Sequence, residues 1–74
     1  MIRYANLSGD SGVREYEIGP GYIKVRFGGV PIYVYDNSRP GARHVAVMQR
    51  LAQAGKGLAT YISQNVKKSF ARTE

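Results

Sequence analysis

Hydrophobic and polar positions alternate over residues 22–27 and again over residues 30–35, on either side of Gly28-Gly29. A period of two marks a half-buried strand, and a Gly-Gly pair between two such runs predicts a β-hairpin. With a two-residue turn, Phe27 pairs with Val30, Val25 with Ile32 and Ile23 with Val34, so these residues share one face. The other face then carries Tyr22 beside Tyr35, Lys24 beside Tyr33 and Arg26 beside Pro31. One side of the hairpin is expected to be apolar, the other basic and aromatic.

Residues 13–18 alternate as well, and Gly19-Pro20-Gly21 supplies a turn into the hairpin. Setting Ile18 opposite Ile23 places Tyr16 against Val25 and Arg14 against Phe27 on the core side. On the outer side it places Glu17 against Lys24 and Glu15 against Arg26. Hydrophobic and charge matching agree on this register, and a slip of one residue would destroy both.

After the hairpin, Asp36-Asn37-Ser38-Arg39-Pro40 breaks the sheet, with Ser38 the predicted N-cap of a helix and Pro40 in its first turn. Val45, Val47, Met48, Leu51, Ala52 and Ala54 cover one side of that helix, with His44 near the middle of the apolar side. Arg43, Ala46, Gln49, Arg50 and Gln53 lie on the other, and Gly55 ends the helix. A second helix is predicted from Leu58, with Ile62, Val66 and Phe70 in its buried stripe and residues 72–74 fraying.

These elements predict an α+β fold, a three-stranded antiparallel β-meander packed on one face by two C-terminal α-helices. Residues 1–12, with the polar run Ser8-Gly9-Asp10-Ser11-Gly12, form a flexible N-terminal arm in this reading, and residues 13–72 form one domain. The third strand is then a sheet edge unless the arm covers it, and the tyrosine face is open.

A chain of 74 residues holds one small domain and a thin core. The formal net charge of +6 changes the picture because of where it lies. Residues 1–36 balance Arg3, Arg14, Lys24 and Arg26 against Asp10, Glu15, Glu17 and Asp36. Residues 37–74 set Arg39, Arg43, Arg50, Lys56, Lys67, Lys68 and Arg72 against Glu74 alone. A one-sided positive potential favours polyanionic partners. The chain has no cysteine, no apolar run of membrane-spanning length and no signal-peptide pattern, so a reducing, cytoplasmic setting is expected and no membrane partner.

Catalytic chemistry has few parts. His44 is the only histidine, and Glu15 and Glu17 have basic partners across the strand. No catalytic residue, metal site, cofactor or small-molecule substrate is inferred. Gly55-Lys56-Gly57 lacks the spacing of a phosphate-binding loop and reads as a helix cap with a linker.

Tyr22, Tyr33 and Tyr35, interleaved with Lys24 and Arg26, fit a platform for RNA or single-stranded nucleic acid, with rings for bases and cations for phosphates. Arg39, Arg43, Arg50, Lys67 and Lys68 on the helices add sequence-independent attraction. The structural alternative is that the tyrosines serve as cross-strand pairs. The functional alternative is a protein-interaction or homodimer-forming module, since exposed tyrosines beside arginines also suit protein interfaces.

The order Tyr16-Glu17-Ile18, a short turn, Tyr22-Ile23-Lys24-Val25-Arg26-Phe27-Gly28-Gly29, then Tyr33-Val34-Tyr35 and a helix resembles the KTSC domain, over roughly residues 14–70. That small domain occurs at the C-terminus of some lysyl-tRNA synthetases and as stand-alone bacterial proteins. Its hallmark Tyr-x-Tyr corresponds here to Tyr33 and Tyr35. The resemblance implies a non-catalytic domain for which RNA binding is a suggested role.

Overall fold

The computed structural model describes residues 1–7, 9, 11–29 and 31–74. The chain forms β1 (Ile2–Arg3), β2 (Glu15–Gly19), β3 (Tyr22–Arg26), β4 (Ile32–Asp36), α1 (Ala42–Ala54), α2 (Leu58–Tyr61), a π-helical turn (Ile62–Val66) and β5 (Arg72–Thr73). The strands make one antiparallel sheet of five in the order β1-β2-β3-β4-β5, and the helices cover one face. The α+β class with an antiparallel sheet and two helices is as expected, but the sheet has five strands where three were expected. Each terminal segment adds a short strand to one edge.

The β2–β3 register matches the expected one from Glu15 on, with Glu15 opposite Arg26, Tyr16 opposite Val25, Glu17 opposite Lys24 and Ile18 opposite Ile23. Arg14, however, lies outside the strand and is exposed instead of facing Phe27 on the core side. The β3–β4 register does not match. Ile23 pairs with Tyr35, Lys24 with Val34, Val25 with Tyr33 and Arg26 with Ile32, a shift of one residue. β3 ends at Arg26 and β4 begins at Ile32, so Phe27 and Pro31 lie outside the strands, and the expected partner of Phe27, Val30, lies outside the described residues.

The expected register set Pro31 opposite Arg26 inside the ladder. In the observed register Pro31 sits in the loop and β4 begins one residue later. The shift turns every side chain of β4 over. Tyr35 joins the core at 1% exposure, and Val34, also 1% exposed, sits on the outer face between Lys24 and Arg72 in the ladder. Burying a tyrosine ring removes more apolar area from water than burying a valine, so the helix-covered side gains from the exchange.

Below the sheet, Ile23, Val25, Tyr16 and Tyr35 pack against Val45, Met48 and Ala52 of α1 and Leu58, Ile62 and Val66 beyond it. The first helical turn differs from expectation. Asp36, not Ser38, organises the approach: its Oδ1 accepts from Ser38 N–H at 2.9 Å, Ser38 Oγ at 2.6 Å and Arg39 N–H at 3.1 Å. Ser38 is used in that turn, and Gly41 takes the N-cap position with no side-chain cap. At the other end Gly55 adopts the left-handed conformation, φ 80°, and closes α1 through bonds to the carbonyls of Ala52 and Leu51.

Gln49 was expected on the solvent side of α1. It instead donates from Nε2 to the carbonyls of Gly19, 3.1 Å, and Tyr22, 2.8 Å, pinning the β2–β3 turn to the helix. The second helix is shorter than its apolar spacing suggests, with four α-helical residues followed by a wider π turn. The chain then extends through Phe70 into β5, so residues 72–73 pair with Tyr33 and Val34 instead of fraying. Within the expected N-terminal arm, Ile2 and Arg3 pair with β2, and the buried Tyr4 accepts a bond at its Oη from Leu58 N–H at 3.3 Å. Ser8 and Asp10 of that arm lie outside the described residues.

Candidate nucleic-acid interface

The outer sheet face is a charge ladder. Rows of the sheet place Arg3, Glu15, Arg26 and Ile32 side by side, and Glu17, Lys24, Val34 and Arg72 in the next row. Arg26 donates through Nε and Nη2 to Glu15 Oε1. Lys24 Nζ lies 2.9 Å from Glu74 Oε1 and 3.9 Å from Glu17 Oε2. Arg72 reaches Glu74 at 3.2 Å and Asp36 at 3.9 Å. The ladder therefore sets Arg3, Lys24, Arg26 and Arg72 against Glu15, Glu17, Asp36 and Glu74, four cations to four carboxylates, with Arg14 at its margin beside Arg3 and Arg26.

These contacts explain the shifted titrations. The Lys24 ammonium is raised above its ordinary value, chiefly by its bond to Glu74, and the Glu74 carboxyl is lowered by the same bond. Asp36 is lowered chiefly by its bond from Ser38. Tyr22 is raised chiefly by donating to Glu17.

The expected basic and aromatic platform on this face is thus not formed. Of its members, Tyr22 does lie on the outer face, but its ring covers Gly19, its Oη donates to Glu17 at 3.1 Å, and Lys24 Nζ sits 5.8 Å from the ring centre. Lys24 and Arg26 are paired with carboxylates. Tyr33 and Tyr35 face the helices, because the one-residue shift of β4 turns them inward.

The shift brings those two tyrosines to a different site. Tyr33 packs edge-on against Phe27, with centroids 5.7 Å apart, and against Phe70 at 4.9 Å, and Tyr35 meets Phe70 at 6.5 Å. The four rings line a cleft of about 500 Å³ between the end of the sheet and the π turn, with Ile62, Lys67 and Lys68 completing its walls. Burial pushes the Tyr35 phenol up to about 12, with a smaller contribution from neighbouring Tyr33. Sequence reasoning assigned Phe27 and Phe70 to the core. Nothing in the spacing could show that a loop residue and a residue beyond the second helix meet around Tyr33.

Arg39, Arg43, Arg50, Lys67 and Lys68 are all exposed, as is Lys56, and none forms an ion pair among the described residues. Arg43 and Arg50, seven residues apart, lie on the side of α1 opposite Val45, Met48 and Ala52. The net positive charge belongs to the helical half of the molecule. His44, expected to be half-buried and structural, is partly buried with its Nδ1 2.7 Å from Tyr61 Oη. The cap-and-linker reading of 55–57 matches the geometry, in which Gly55 ends α1 and Gly57 caps α2. Among the described residues no group of three or more His, Cys, Asp or Glu side chains could hold a metal ion, and no helix is long and apolar enough to cross a membrane.

Fold and site together define a small antiparallel α+β domain with a neutral sheet face, a cationic helical layer and an aromatic cleft at their junction. Compared with protein-family models, with curated proteins and with solved structures, the chain matches none of them.

Proposed function

We propose that this chain is a small, non-catalytic binding module for RNA or single-stranded nucleic acid, acting in the cytoplasm and engaging its partner through the helical layer. The observation that carries the reading is the segregation of charge. Four of the five acidic residues are committed to the outer sheet face, while Arg39, Arg43, Arg50, Lys56, Lys67 and Lys68 stand exposed without ion pairs among the described residues. Unpaired cations on the helical segments attract a polyanion without first breaking internal salt bridges. The resemblance to the KTSC domain belongs to the same proposal and points the same way.

The alternative, a protein-interaction or homodimer-forming module, loses two of its supports. The edge of β4 is occupied by β5, and Tyr33 and Tyr35 are turned toward the helices.

Titration of the protein with a random-sequence single-stranded oligonucleotide at increasing salt tests the reading. The logarithm of the binding constant is expected to fall with the logarithm of salt by about 0.7 for each phosphate contact. Absence of binding at low salt overturns the proposal and leaves the interaction module as the better account.

A further inference from the structure

We propose that the cleft bounded by Phe27, Tyr33, Tyr35 and Phe70 receives one unstacked nucleobase of a single strand, with Lys67 and Lys68 meeting the adjoining phosphates. This rests on the nucleic-acid reading and assigns it a specific site.

Three clefts on the described surface differ in their chemistry. One, between Tyr22, Asp36 and Arg72 on the outer face, contains a carboxylate already bonded within its own turn. A second, around Arg3, Arg14 and Arg26, encloses Glu15, which neutralises part of it. The third combines an aromatic lining with two exposed lysines and no acidic residue. Of the three, this one offers a base a stacking surface and its phosphates a cation at the same place.

The geometry suits a flat, partly polar guest. Tyr33 makes interplanar angles of 76° with Phe27 and 62° with Phe70, so the lining presents ring faces and ring edges together. Tyr33 is half-buried and its phenol oxygen has no hydrogen-bond partner among the described residues, which leaves a polar group for the edge of a base. A volume of about 500 Å³ leaves room for one base. The π turn, Ile62–Val66, forms the helical wall and delivers Lys67 and Lys68 directly after it, as such widened turns do at functional sites. Charge complementarity selects a nucleotide over a neutral aromatic ligand.

The test compares two labelled probes of equal length, an oligothymidylate and its abasic counterpart, which carries the phosphates without the bases. Wild-type protein is expected to bind the oligothymidylate roughly 5- to 100-fold more tightly, the effect of one stacked base. Phe70→Leu, verified as folded by circular dichroism, should bring that ratio close to one while leaving abasic binding unchanged. In the wild-type protein, the ring-proton resonances of Phe27 and Phe70 should shift when oligothymidylate is added, a measurement that does not depend on any variant folding.

Equal binding of the two probes, a ratio that survives Phe70→Leu, or unshifted Phe27 and Phe70 rings would overturn the cleft assignment while the module reading stands. If neither probe binds at low salt, the module reading falls and takes this site with it.

Discussion

Lys24 Nζ and Glu74 Oε1 meet at 2.9 Å across 50 residues of sequence, and their bond ties the end of β5 back over β4 to β3. Beneath this tie lies Val34, almost fully buried on a face that no helix covers. Long charged side chains shield apolar surface with their stems while their heads stay in water, and here Lys24 and Arg72 flank the valine in the ladder.

Acid should loosen this corner first. The Glu74 and Asp36 carboxyls are lowered below their ordinary values of 4.5 and 3.8. A lowered folded-state value gives stability that is present above the unfolded value and lost as pH falls through the folded one. Hydrogen-exchange protection at the amides of Ile32 and Glu74, which bond each other's carbonyls at 2.8 and 2.7 Å, should therefore drop as pH falls below the ordinary carboxyl value of 4.5. Core amides of β3 should hold longer. In Glu74→Gln the drop at these two amides should be largely gone.

Alkali acts through Tyr35. Its phenol is pushed from 10.0 up to about 12 by burial, so the folded state holds the proton after the unfolded chain has released it. That contribution to stability is complete below 10.0 and is lost as pH rises through about 12. Phenolate absorbance should show one tyrosine ionising last, together with unfolding, and Tyr35→Phe should remove that step.

Tyr33 and Tyr35 are core-facing, so truncating them tests stability before it tests binding. Tyr35→Ala should cost about 3–5 kcal/mol in chemical denaturation, as expected for deleting a buried ring. For a domain of this size that loss is a large share of the total. A Tyr35→Ala protein that unfolded at the wild-type denaturant midpoint would contradict the observed β4 register.

Gly55 combines two demands. Its φ of 80° strains any side chain, and a Cβ there would stand 2.7 Å from the Cβ of Ala5. Ala5 cannot swing away as a long side chain would, and Leu7 N–H donates to the Gly55 carbonyl at 2.7 Å in the same contact. Gly55→Ala should destabilise by about 1–2 kcal/mol or more from the left-handed conformation and the crowding together. Gly29→Ala, with open space around it, should stay within about 0.5 kcal/mol of wild type.

Binding should separate the two layers. Replacing Lys67 and Lys68 together by Gln should reduce the salt slope for a single strand by about 1.4, two phosphate contacts at 0.7 each. Lys24→Gln on the outer face should leave the slope unchanged, because that lysine is occupied by Glu74 and Glu17. Equal loss from both changes would favour diffuse attraction to net charge over a binding layer.

How much of this was legible depends on what each residue had to match. The β2–β3 register was readable because Glu15, Glu17, Lys24 and Arg26 constrain it on one face while Ile18 and Ile23 constrain it on the other. Residues 32–35 alternate Ile-Tyr-Val-Tyr, apolar or aromatic at every position, so their pattern is almost indifferent to a slip of one. What separates the two registers is the burial of Tyr35 against the helices, a tertiary contact that local alternation does not report. The aromatic cleft needed that register together with the path of residues 67–73, and no periodicity spans such a separation. The unpaired cations were visible from charge placement, and their isolation came with the pairing of the carboxylates.

The neutral sheet backed by a cationic helical layer makes the molecule an electric dipole with its positive end away from the sheet. Near a polyanion such a body experiences a torque before it touches anything, and it turns its helices forward. Productive contacts then form a larger fraction of collisions than chance orientation allows. The strands are meanwhile left facing outward, available to whatever lies on the far side.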